Sequence, residues 1–367
     1  MKIVLTGYVY VKGFSQPEVW LKHIRFYTGA LEALAARGHE VISIAQIDYE
    51  GVCQQNNVIH QFLKIGDAGR ILPFKLHGFI KKQKPDVVIV HGLHSPLQVI
   101  FLRMHLGFKV KIIVQNHAEK PLRGVKHYLH KLADKLTDAY LFASKYLGMD
   151  WAIDGLISAN KIHEVMEVSS LFYPIEKNGL CEKIKTSGQP AFLWVGRLNQ
   201  NKDPLTVVRA FLRYVTIAPN AKLYMIYQTE ELLAELTTLL DHHPKKNTVA
   251  LVGKVNNDDL LYWYNSVDFL LSGSHYEGSG TAVCEAMSCG CIPIVTDIPA
   301  FRMITNNGDC GILYSAGNEN ALVDALAKTQ TFDKENNRQK CLARFEQKLS
   351  FKAIARDIEA VANSIVK

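Results

Sequence analysis

The chain has 367 residues, of which 48% are hydrophobic and 21% charged, a composition typical of globular proteins and not of disordered ones. This length predicts two domains. The apolar residues before Gly7 form a run far too short for a signal peptide or a membrane span, so we expect a cytoplasmic protein.

The net charge of +7 belongs to the first half of the chain. Residues 1–180 contain 22 Lys and Arg against 15 Asp and Glu, whereas residues 181–367 contain 20 of each kind. The first half also holds 11 of the 14 histidines. This excess indicates an anionic partner, for which we expect membrane lipid or a phosphorylated acceptor, and no nucleic acid. An ordinary solvated surface is the alternative.

Apolar runs and helical spacing alternate along the first half. Strands are predicted at Ile3 to Thr6, Glu40 to Ala45, Asp86 to Val90 and Lys111 to Gln115, with helices at Val19 to Arg37 and around Pro96 to Leu106. The segment Tyr173 to Pro190 contains two prolines and two glycines and breaks this alternation, so we place a domain boundary there.

The second half resumes the alternation. Its strands are predicted at Phe192 to Val195, Ala221 to Tyr227, Val249 to Val252, Phe269 to Ser272 and Ile292 to Thr296. Such order predicts an α/β fold of two Rossmann-like domains with doubly wound parallel sheets, facing a cleft. We expect the domains at 1–180 and 190–345, and a last helix at 346–367 that packs back on the first domain.

A glycine-bearing loop with two glutamates carries the strongest chemical signal. Glu277 and Glu285 have seven residues between them, after the apolar strand Phe269 to Ser272 and across the start of a helix that Gly290 ends. A helix start at the carboxyl end of a parallel strand exposes backbone N–H groups, which suit a phosphate or a sugar. The alternative is a helix cap at Glu277 and a solvated surface residue at Glu285.

A second loop brings two cations to a strand end. The strand Phe192 to Val195 runs into Gly196-Arg197-Leu198-Asn199-Gln200-Asn201-Lys202-Asp203-Pro204, and helical spacing follows from Leu205 to Tyr214. A planar guanidinium and a mobile ammonium can together bind a diphosphate where other enzymes use a divalent metal. Exposed cations on a turn are the alternative interpretation.

With these motifs the sequence resembles the retaining nucleotide-sugar glycosyltransferases of family 4, which have the GT-B fold. The likeness runs from about Phe192 to Leu326 and is looser before that. It is carried by the paired glutamates, by the Gly-Arg-Leu loop with its following lysine, and by the Glu-Ala-Met-x-x-Gly helix from Glu285 to Gly290. Each motif alone is weak, and together they are specific.

The resemblance implies a role for each matched residue. Glu285 would hold the ribose hydroxyls, Arg197 and Lys202 would bind the pyrophosphate, and Glu277 with the amides after it would contact the donor sugar. The expected donor-binding set is Gly13, Gly196, Arg197, Lys202, Val255, Glu277, Gly278, Ser279, Gly280, Thr281 and Glu285, and the catalytic set is His117, Arg197, Lys202 and Glu277. In the loop after the first strand, Gly7 and Gly13 stand apart, unlike the glycine pair of the family.

Two histidines follow predicted strands of the first half. His91 follows Val87 to Val90, and His117 follows Ile112 to Asn116, so both should lie where open sheets bind ligands. We interpret His91 as a structural histidine. The resemblance implies a donor-side or acceptor-side histidine after the second of these strands, and we assign that role to His117.

A basic stretch follows the same strand. It has the pattern of an amphipathic helix and contains Lys120, Arg123, Lys126, Lys131 and Lys135. We expect it to contact anionic lipid at the inner face of a membrane or a phosphorylated acceptor, with plain solvation as the alternative.

The expected reaction moves a hexosyl group from a nucleoside diphosphate sugar, a UDP-sugar in preference to a GDP-sugar, to a hydroxyl of a glycan or lipid-linked acceptor. Retention of configuration allows a covalent carboxylate intermediate or attack on the face from which the diphosphate leaves. The resemblance favours the second. A nucleotide-sugar epimerase and a non-catalytic nucleotide-sugar-binding protein stay open, whereas an oxidoreductase is disfavoured because no GxGxxG follows the first strand.

No cofactor and no metal are expected. The seven cysteines lack the spacing of a zinc site, and we interpret Cys284, Cys289 and Cys291 as reduced packing residues. The pair Asp258-Asp259 resembles a helix start more than a metal-binding carboxylate pair.

Overall fold

The computed structural model describes residues 1–65, 73–117, 119–121, 123–176, 184 and 186–366. The chain divides into two compact units, residues 1–169 with 350–367, and residues 170–349. The first unit therefore ends before the segment Tyr173 to Pro190, where the sequence predicts the boundary.

The first unit is built on a sheet with eight strands among the described residues. Its strands are β1 (Lys2–Val11), β2 (Glu40–Ile47), β3 (Gly51–Gln55), β4 (Val58–Phe62), β5 (Val87–His91), β6 (Lys111–Gln115), β7 (Ala139–Phe142) and β8 (Ile162–Glu164). They lie in the order β3-β4-β2-β1-β5-β6-β7-β8. The helices are Pro17–His23, Arg25–Ala36, Phe74–Gln83, Pro96–Leu106, Val125–Leu136, Lys145–Ile153 and Phe351–Val366, with a 3-10 turn at Ala159–Lys161. Buried β-branched residues of β1 and β5 form the centre of the core.

The second unit contains a sheet whose described strands are all parallel. They are β9 (Ala191–Gly196), β10 (Lys222–Tyr227), β11 (Val249–Gly253), β12 (Phe269–Ser272), β13 (Ile292–Thr296) and β14 (Ile312–Tyr314), in the order β11-β10-β9-β12-β13-β14. Its helices are Pro204–Tyr214, Leu233–Asp241, Leu260–Ser266, Thr281–Ser288, Pro299–Ile304, Glu319–Lys328 and Lys334–Arg344, with 3-10 turns at Lys246–Thr248 and Asn257–Asp259 and a π-helical turn at Phe345–Leu349. The core is aromatic, and the rings of Phe192 and Phe269 stack at 5.3 Å between centroids.

The prediction of two parallel α/β sheets is confirmed, with three local differences. The strand β1 continues past Thr6 to Val11, and its pairing register shifts between Thr6 and Tyr10. The helix expected from Val19 to Arg37 is two helices that meet at Ile24. The strands β3 and β4 form an antiparallel hairpin, which the sequence analysis did not predict.

The last helix, Phe351–Val366, packs in the first unit against the helix Arg25–Ala36. Gly29 allows this approach, because a Cβ there would lie 2.6 Å from the ring of Phe351. At the other end of the contact, Glu359 accepts hydrogen bonds from Arg37 Nε at 2.8 Å and from His39 Nε2 at 2.9 Å. The end of the chain is thus tied to the unit that holds its beginning.

Candidate active site

Two loops meet at the carboxyl edge of the second sheet. The strands β9 and β12 are parallel neighbours, so the loops that follow them, 197–203 and 273–280, leave the sheet side by side. Backbone and side chain join them: His275 N donates to Asn201 O at 2.8 Å, and Asn201 Nδ2 donates to Tyr276 O at 3.0 Å. The sequence predicted each loop, and the sheet order places them together.

A close backbone approach fixes the two loops further. A Cβ on Gly273 would lie 2.9 Å from Val207 Cγ2 and 3.0 Å from Asp203 O, so a side chain there would push the loops apart. Asp203 has a left-handed backbone with φ of 44° and accepts a hydrogen bond from Thr206 N, which begins the helix Pro204–Tyr214. Its other carboxylate oxygen lies 3.1 Å from His275 Nε2.

The predicted cation and the predicted acid are paired across these loops. Lys202 Nζ forms an ion pair with Glu277 Oε1, and the two side chains are 25% and 15% exposed. Lys202 N donates to the backbone and side-chain oxygens of Asn199, both at 3.1 Å, which orients the lysine. Arg197 lies exposed at the start of the same loop. A charge-assisted pair of this kind is held in a partly buried setting where it is stronger than in water.

Glu285 is oriented by a tyrosine that the sequence analysis missed. It lies in the helix Thr281–Ser288, and its Oε2 accepts a hydrogen bond of 2.9 Å from the hydroxyl of Tyr264. Tyr264 is fully buried, and burial, together with the negative charge of Glu285, raises the pKa of its hydroxyl well above the ordinary value. The tyrosine therefore stays a hydrogen-bond donor. Because Tyr264 lies in an apolar helix, nothing in its sequence surroundings distinguishes it from a core residue.

The glycine loop opens the helix that carries Glu285. Gly278 is buried, Ser279 and Thr281 are half-buried, and Gly280 adopts a left-handed backbone with φ of 56° immediately before the helix. A Cβ on Gly280 would lie 2.8 Å from Ile304 and 2.9 Å from the ring of Phe301. A start of this kind directs the unpaired N–H groups of the first turn towards the carboxyl edge of the sheet.

Two more donor-binding candidates lie at this edge. Gly196 ends β9, and a Cβ there would lie 3.1 Å from the ring of Trp194, a tight contact, and 3.6 Å from Lys202, an ordinary one. Val255 follows β11, and β10 separates that strand from β9. Val255 therefore lies at the same carboxyl edge of the sheet as the two loops.

In the first unit, His117 follows β6, as predicted, and contacts an acid that the sequence analysis missed. Its Nδ1 forms a hydrogen bond with the carboxylate of Glu167, which lies beyond the end of β8. The side chain of His117 is 68% exposed, while that of Glu167 is 4% exposed. The bond to Glu167 is the main reason that the pKa of His117 is raised.

The backbone N–H of Gly13, a predicted donor-binding residue, bonds to a carboxylate of the same unit. Its N–H donates to Asp48 Oδ2 at 2.5 Å, and Tyr10 donates to the other oxygen of the same carboxylate at 2.5 Å. These two bonds, that of Tyr10 first, lower the pKa of Asp48 and keep the carboxylate charged. A backbone N–H that already donates to a carboxylate is poorly suited to bind a phosphate, because the carboxylate would repel the second anion.

The acidic pair Asp258-Asp259 stands in the 3-10 turn Asn257–Asp259 that leads into the helix Leu260–Ser266, the helix start that the sequence predicts. Over the described parts of the chain, no three or more His, Cys, Asp or Glu side chains gather as metal ligands. Cys284 and Cys291 are buried, and burial raises the pKa of both thiols.

Comparison with known proteins assigns a class to this arrangement. Residues 182–344 match the family described as glycosyl transferases group 1, and residues 26–163 match glycosyltransferase family 4. The two matches cover most of both structural units. The match to glycosyl transferases group 1 contains both loops and both glutamates of the candidate site.

Relatives and solved structures agree with this class. A GDP-mannose:cellobiosyl-diphosphopolyprenol alpha-mannosyltransferase of Xanthomonas campestris is 28% identical over 36% of this chain and 36% of its own. The capsular polysaccharide biosynthesis glycosyltransferase CapM of Staphylococcus aureus is 25% identical over 53% of this chain and 52% of its own. HepE of Anabaena, solved with UDP, superposes with a TM-score of 0.72 at 12% identity, over 99% of this chain and 100% of its own.

The protein is a glycosyltransferase with two Rossmann-like domains, the GT-B class of fold. Similar proteins act in polysaccharide biosynthesis, as the name of CapM states.

Replacing Gly280 with alanine should destabilise the second unit through two effects. The left-handed backbone costs about 1–2 kcal/mol for a residue with a Cβ, and the contact with Phe301 and Ile304 adds about 1–3 kcal/mol of overpacking. Gly253→Ala is the matched control, because Gly253 also has a positive φ, of 80°, but nothing within 4 Å of its Cβ position. Urea denaturation should show the larger loss for Gly280→Ala. Equal losses would contradict the packing described here.

Proposed function

We propose that the protein is a retaining, metal-independent glycosyltransferase of family 4, which moves a hexosyl group from a nucleoside diphosphate sugar to a hydroxyl of a glycan or lipid-linked acceptor. One observation carries the proposal: Arg197, Lys202 and Glu277 lie on the loops at the carboxyl ends of β9 and β12, and Glu285 lies in the helix Thr281–Ser288 that follows the second loop. Cations for a diphosphate and carboxylates for sugar hydroxyls are the groups such a donor requires.

The diphosphate is proposed to bind Arg197 and Lys202. Each hydrogen bond from a cation to a phosphate oxygen contributes on the order of 1.5–3 kcal/mol net. Lys202 is held by Glu277, so the ion pair restrains the positions of both side chains. When the bond to the leaving phosphate breaks, negative charge grows on the phosphate oxygens, and the two cations stabilise it.

The nucleoside and the sugar are proposed to bind the two glutamates. Tyr264 holds the carboxylate of Glu285 in one orientation, which suits an acceptor of hydrogen bonds from the two ribose hydroxyls. Glu277 and the backbone amides of residues 278–281 would contact the sugar. His117 of the first unit completes the proposed catalytic set.

For the stereochemistry, we favour attack on the face from which the diphosphate leaves. The leaving phosphate can then accept the proton of the acceptor hydroxyl while the sugar passes through an oxocarbenium-like state. The cations assist this route because they stabilise the phosphate without removing its capacity to accept a proton.

For the donor, we propose a UDP-sugar before a GDP-sugar. HepE, a structural neighbour, was solved with UDP and with UDP-glucose, whereas the similar Xanthomonas enzyme is named for GDP-mannose. Thermal stabilisation by uridine, guanosine and adenosine diphosphate sugars tests this directly, because a ligand that binds the folded state raises the unfolding temperature. Incubation with a donor alone separates a transferase from an epimerase, since only an epimerase would yield an isomeric nucleotide sugar.

An acceptor attached to lipid is supported by one helix of the first unit. Along Val125–Leu136, three apolar side chains on one face are exposed: Val125 at 77%, Tyr128 at 74% and Leu132 at 48%. Exposed lysines flank this face, namely Lys126, Lys131 and Lys135. An apolar stripe with lysines at its margins fits the boundary of an anionic membrane, where apolar groups insert and cations contact phosphates.

No helix in the described ranges is long and apolar enough to cross a membrane. We propose peripheral contact through the helix Val125–Leu136, at the cytoplasmic face of a membrane.

Alanine at Arg197 or at Lys202 should lower kcat/KM by roughly a hundredfold, because each removes a cation that opposes charge in the transition state. Steady-state transfer assays measure this, and circular dichroism should show an unchanged fold. Arg209→Ala, an exposed arginine on the helix Pro204–Tyr214 of the same unit, is the matched control. If both single variants keep activity within about threefold of the unmodified enzyme, the assignment of the diphosphate site is wrong.

Transfer should proceed unchanged after treatment with EDTA, because cationic side chains stabilise the leaving diphosphate in this proposal. The assay compares initial rates with and without the chelator, followed by addition of magnesium or manganese. A rate that EDTA abolishes and either metal restores would show that the reaction needs a divalent cation.

Binding to phosphatidylcholine vesicles should rise when phosphatidylglycerol is added and weaken near 0.15 M salt, where the Debye length is about 8 Å. Cosedimentation measures it. Replacing Lys126, Lys131 and Lys135 by glutamine should reduce the salt-sensitive part, and replacing Val125, Tyr128 and Leu132 by serine should reduce binding at any salt concentration.

The control variant replaces Lys245 and Lys246, exposed lysines of the second unit, by glutamine and should bind as the unmodified protein does. None of these changes should alter nucleotide-sugar affinity. Equal binding to neutral and anionic vesicles, or binding to neither, would favour an acceptor free in solution.

A further inference from the structure

A histidine and a buried acid meet at the carboxyl edge of the first sheet. His117 follows β6, Glu167 follows β8, and β7 lies between those two strands. The hydrogen bond joins Nδ1 of the imidazole to the carboxylate of Glu167. Because the histidine side chain is 68% exposed and the acid only 4%, Nδ1 is bound towards the interior while the rest of the ring faces out.

A carboxylate as buried as that of Glu167 requires positive charge or hydrogen-bond donors nearby. His91, at the end of β5, does not supply the charge. Its Nε2 is buried without a hydrogen-bond partner, its ring packs against Tyr27 at 4.5 Å between centroids, and burial lowers its pKa to about 4. His91 is therefore neutral at pH 7, whereas His117 bonds directly to the carboxylate of Glu167 through Nδ1.

The surroundings of His117 favour its charged form. The bond to Glu167 raises its pKa most, partial burial acts against this, and the charges of Glu167 and Glu119 raise the pKa further. Glu119 also fixes the backbone, because its Oε2 accepts from His117 N at 2.6 Å and from Asn116 Nδ2 at 3.0 Å. Within the described residues, Glu167, Glu119 and His91 are the titratable groups that act on this imidazole.

We propose that Glu167 is a positioning residue for the transfer reaction: it holds the His117 ring in one orientation, with Nδ1 bound inward and Nε2–H turned outward to donate to a substrate oxygen. This inference rests on the proposed function. The pair works as other carboxylate–histidine pairs do, since the acid orients the ring, selects its tautomer and stabilises the imidazolium.

The first test needs no enzymatic activity. Long-range ¹H–¹⁵N NMR of the full-length protein, titrated with pH, reports the pKa and the tautomer of His117. We expect a pKa above the ordinary histidine range and a neutral form protonated on Nδ1, and we expect Glu167→Gln to lower that pKa towards the ordinary range. An ordinary pKa in the unmodified protein, together with protonation of the neutral form on Nε2, would overturn the proposal even if Glu167→Gln did not fold.

The second test is kinetic and uses the direction in which Glu167 shifts the pKa of His117, which is upwards. Because Glu167 favours the protonated ring, its loss should matter most at high pH, where His117 would otherwise lose its proton. Glu167→Gln should lower kcat/KM by about tenfold at pH 8 and by less than about threefold at pH 6. A loss of equal size at both pH values would indicate a merely structural role and would contradict the proposal.

Two variants complete the design. Glu164→Gln, at the exposed end of β8, removes a carboxylate from the same segment and should leave the activity and the pKa of His117 unchanged. In a His117→Ala background, Glu167→Gln should have no further effect on kcat/KM, because the acid acts through the histidine. A full additional loss in the double variant would show that Glu167 acts in another way.

The two tests separate this inference from the function on which it rests. Suppose that the protein transfers no sugar, but that the pKa of His117 is raised and falls in Glu167→Gln. The interaction of His117 with Glu167 would then be supported, and the proposed transferase function would be wrong. An active transferase whose pH profile and His117 pKa do not respond to Glu167→Gln would retain the function and refute the positioning role.

Discussion

The hydrogen-bonded pairing of β9 with β12 is the constraint on which the candidate site depends. Parallel strands in register end at the same edge, so the loop of Arg197 and Lys202 and the loop of Glu277 must leave the sheet together, although some 75 residues separate them in the chain. The bond from Asn201 to Tyr276 and the close approach at Gly273 then set the distance between them. Opposite charges are thereby held together at this edge of the sheet.

The ion pair of Lys202 and Glu277 stabilises two charges that are both partly buried. Each charge compensates the other, which lowers the desolvation cost of holding them at this edge of the sheet. In the proposed function, phosphate of the donor would contact the lysine and hydroxyls of its sugar would contact the glutamate, so both charges would keep hydrogen-bonding partners. The specificity of the site would thus depend on a ligand that supplies both groups at the spacing of the two loops.

Each of the two units contains a polar side chain that a buried residue holds in place. In each, a polar side chain is oriented by a buried partner from another element: Glu285 in its helix by Tyr264, and His117 after β6 by Glu167. Both partners are buried, so each holds its side chain against a fixed part of the core. Such support keeps functional groups within the narrow geometry that catalysis requires.

The alternation of strands and helices and most strand positions were predictable from the sequence, because buried parallel strands are short apolar runs. The strands Phe269–Ser272 and Ile292–Thr296 match their predictions in full. The strand-end motifs of the sequence also identified the site loops. It did not reveal the hairpin at Asn56 and Asn57, whose positive φ values form a two-residue turn. Three long-range contacts could not be predicted from the sequence: the bond from Gly13 to Asp48, the bond from Tyr264 to Glu285, and the bond between His117 and Glu167. The reason is physical: a hydrogen bond between distant residues depends on strand order and burial, which no local pattern encodes.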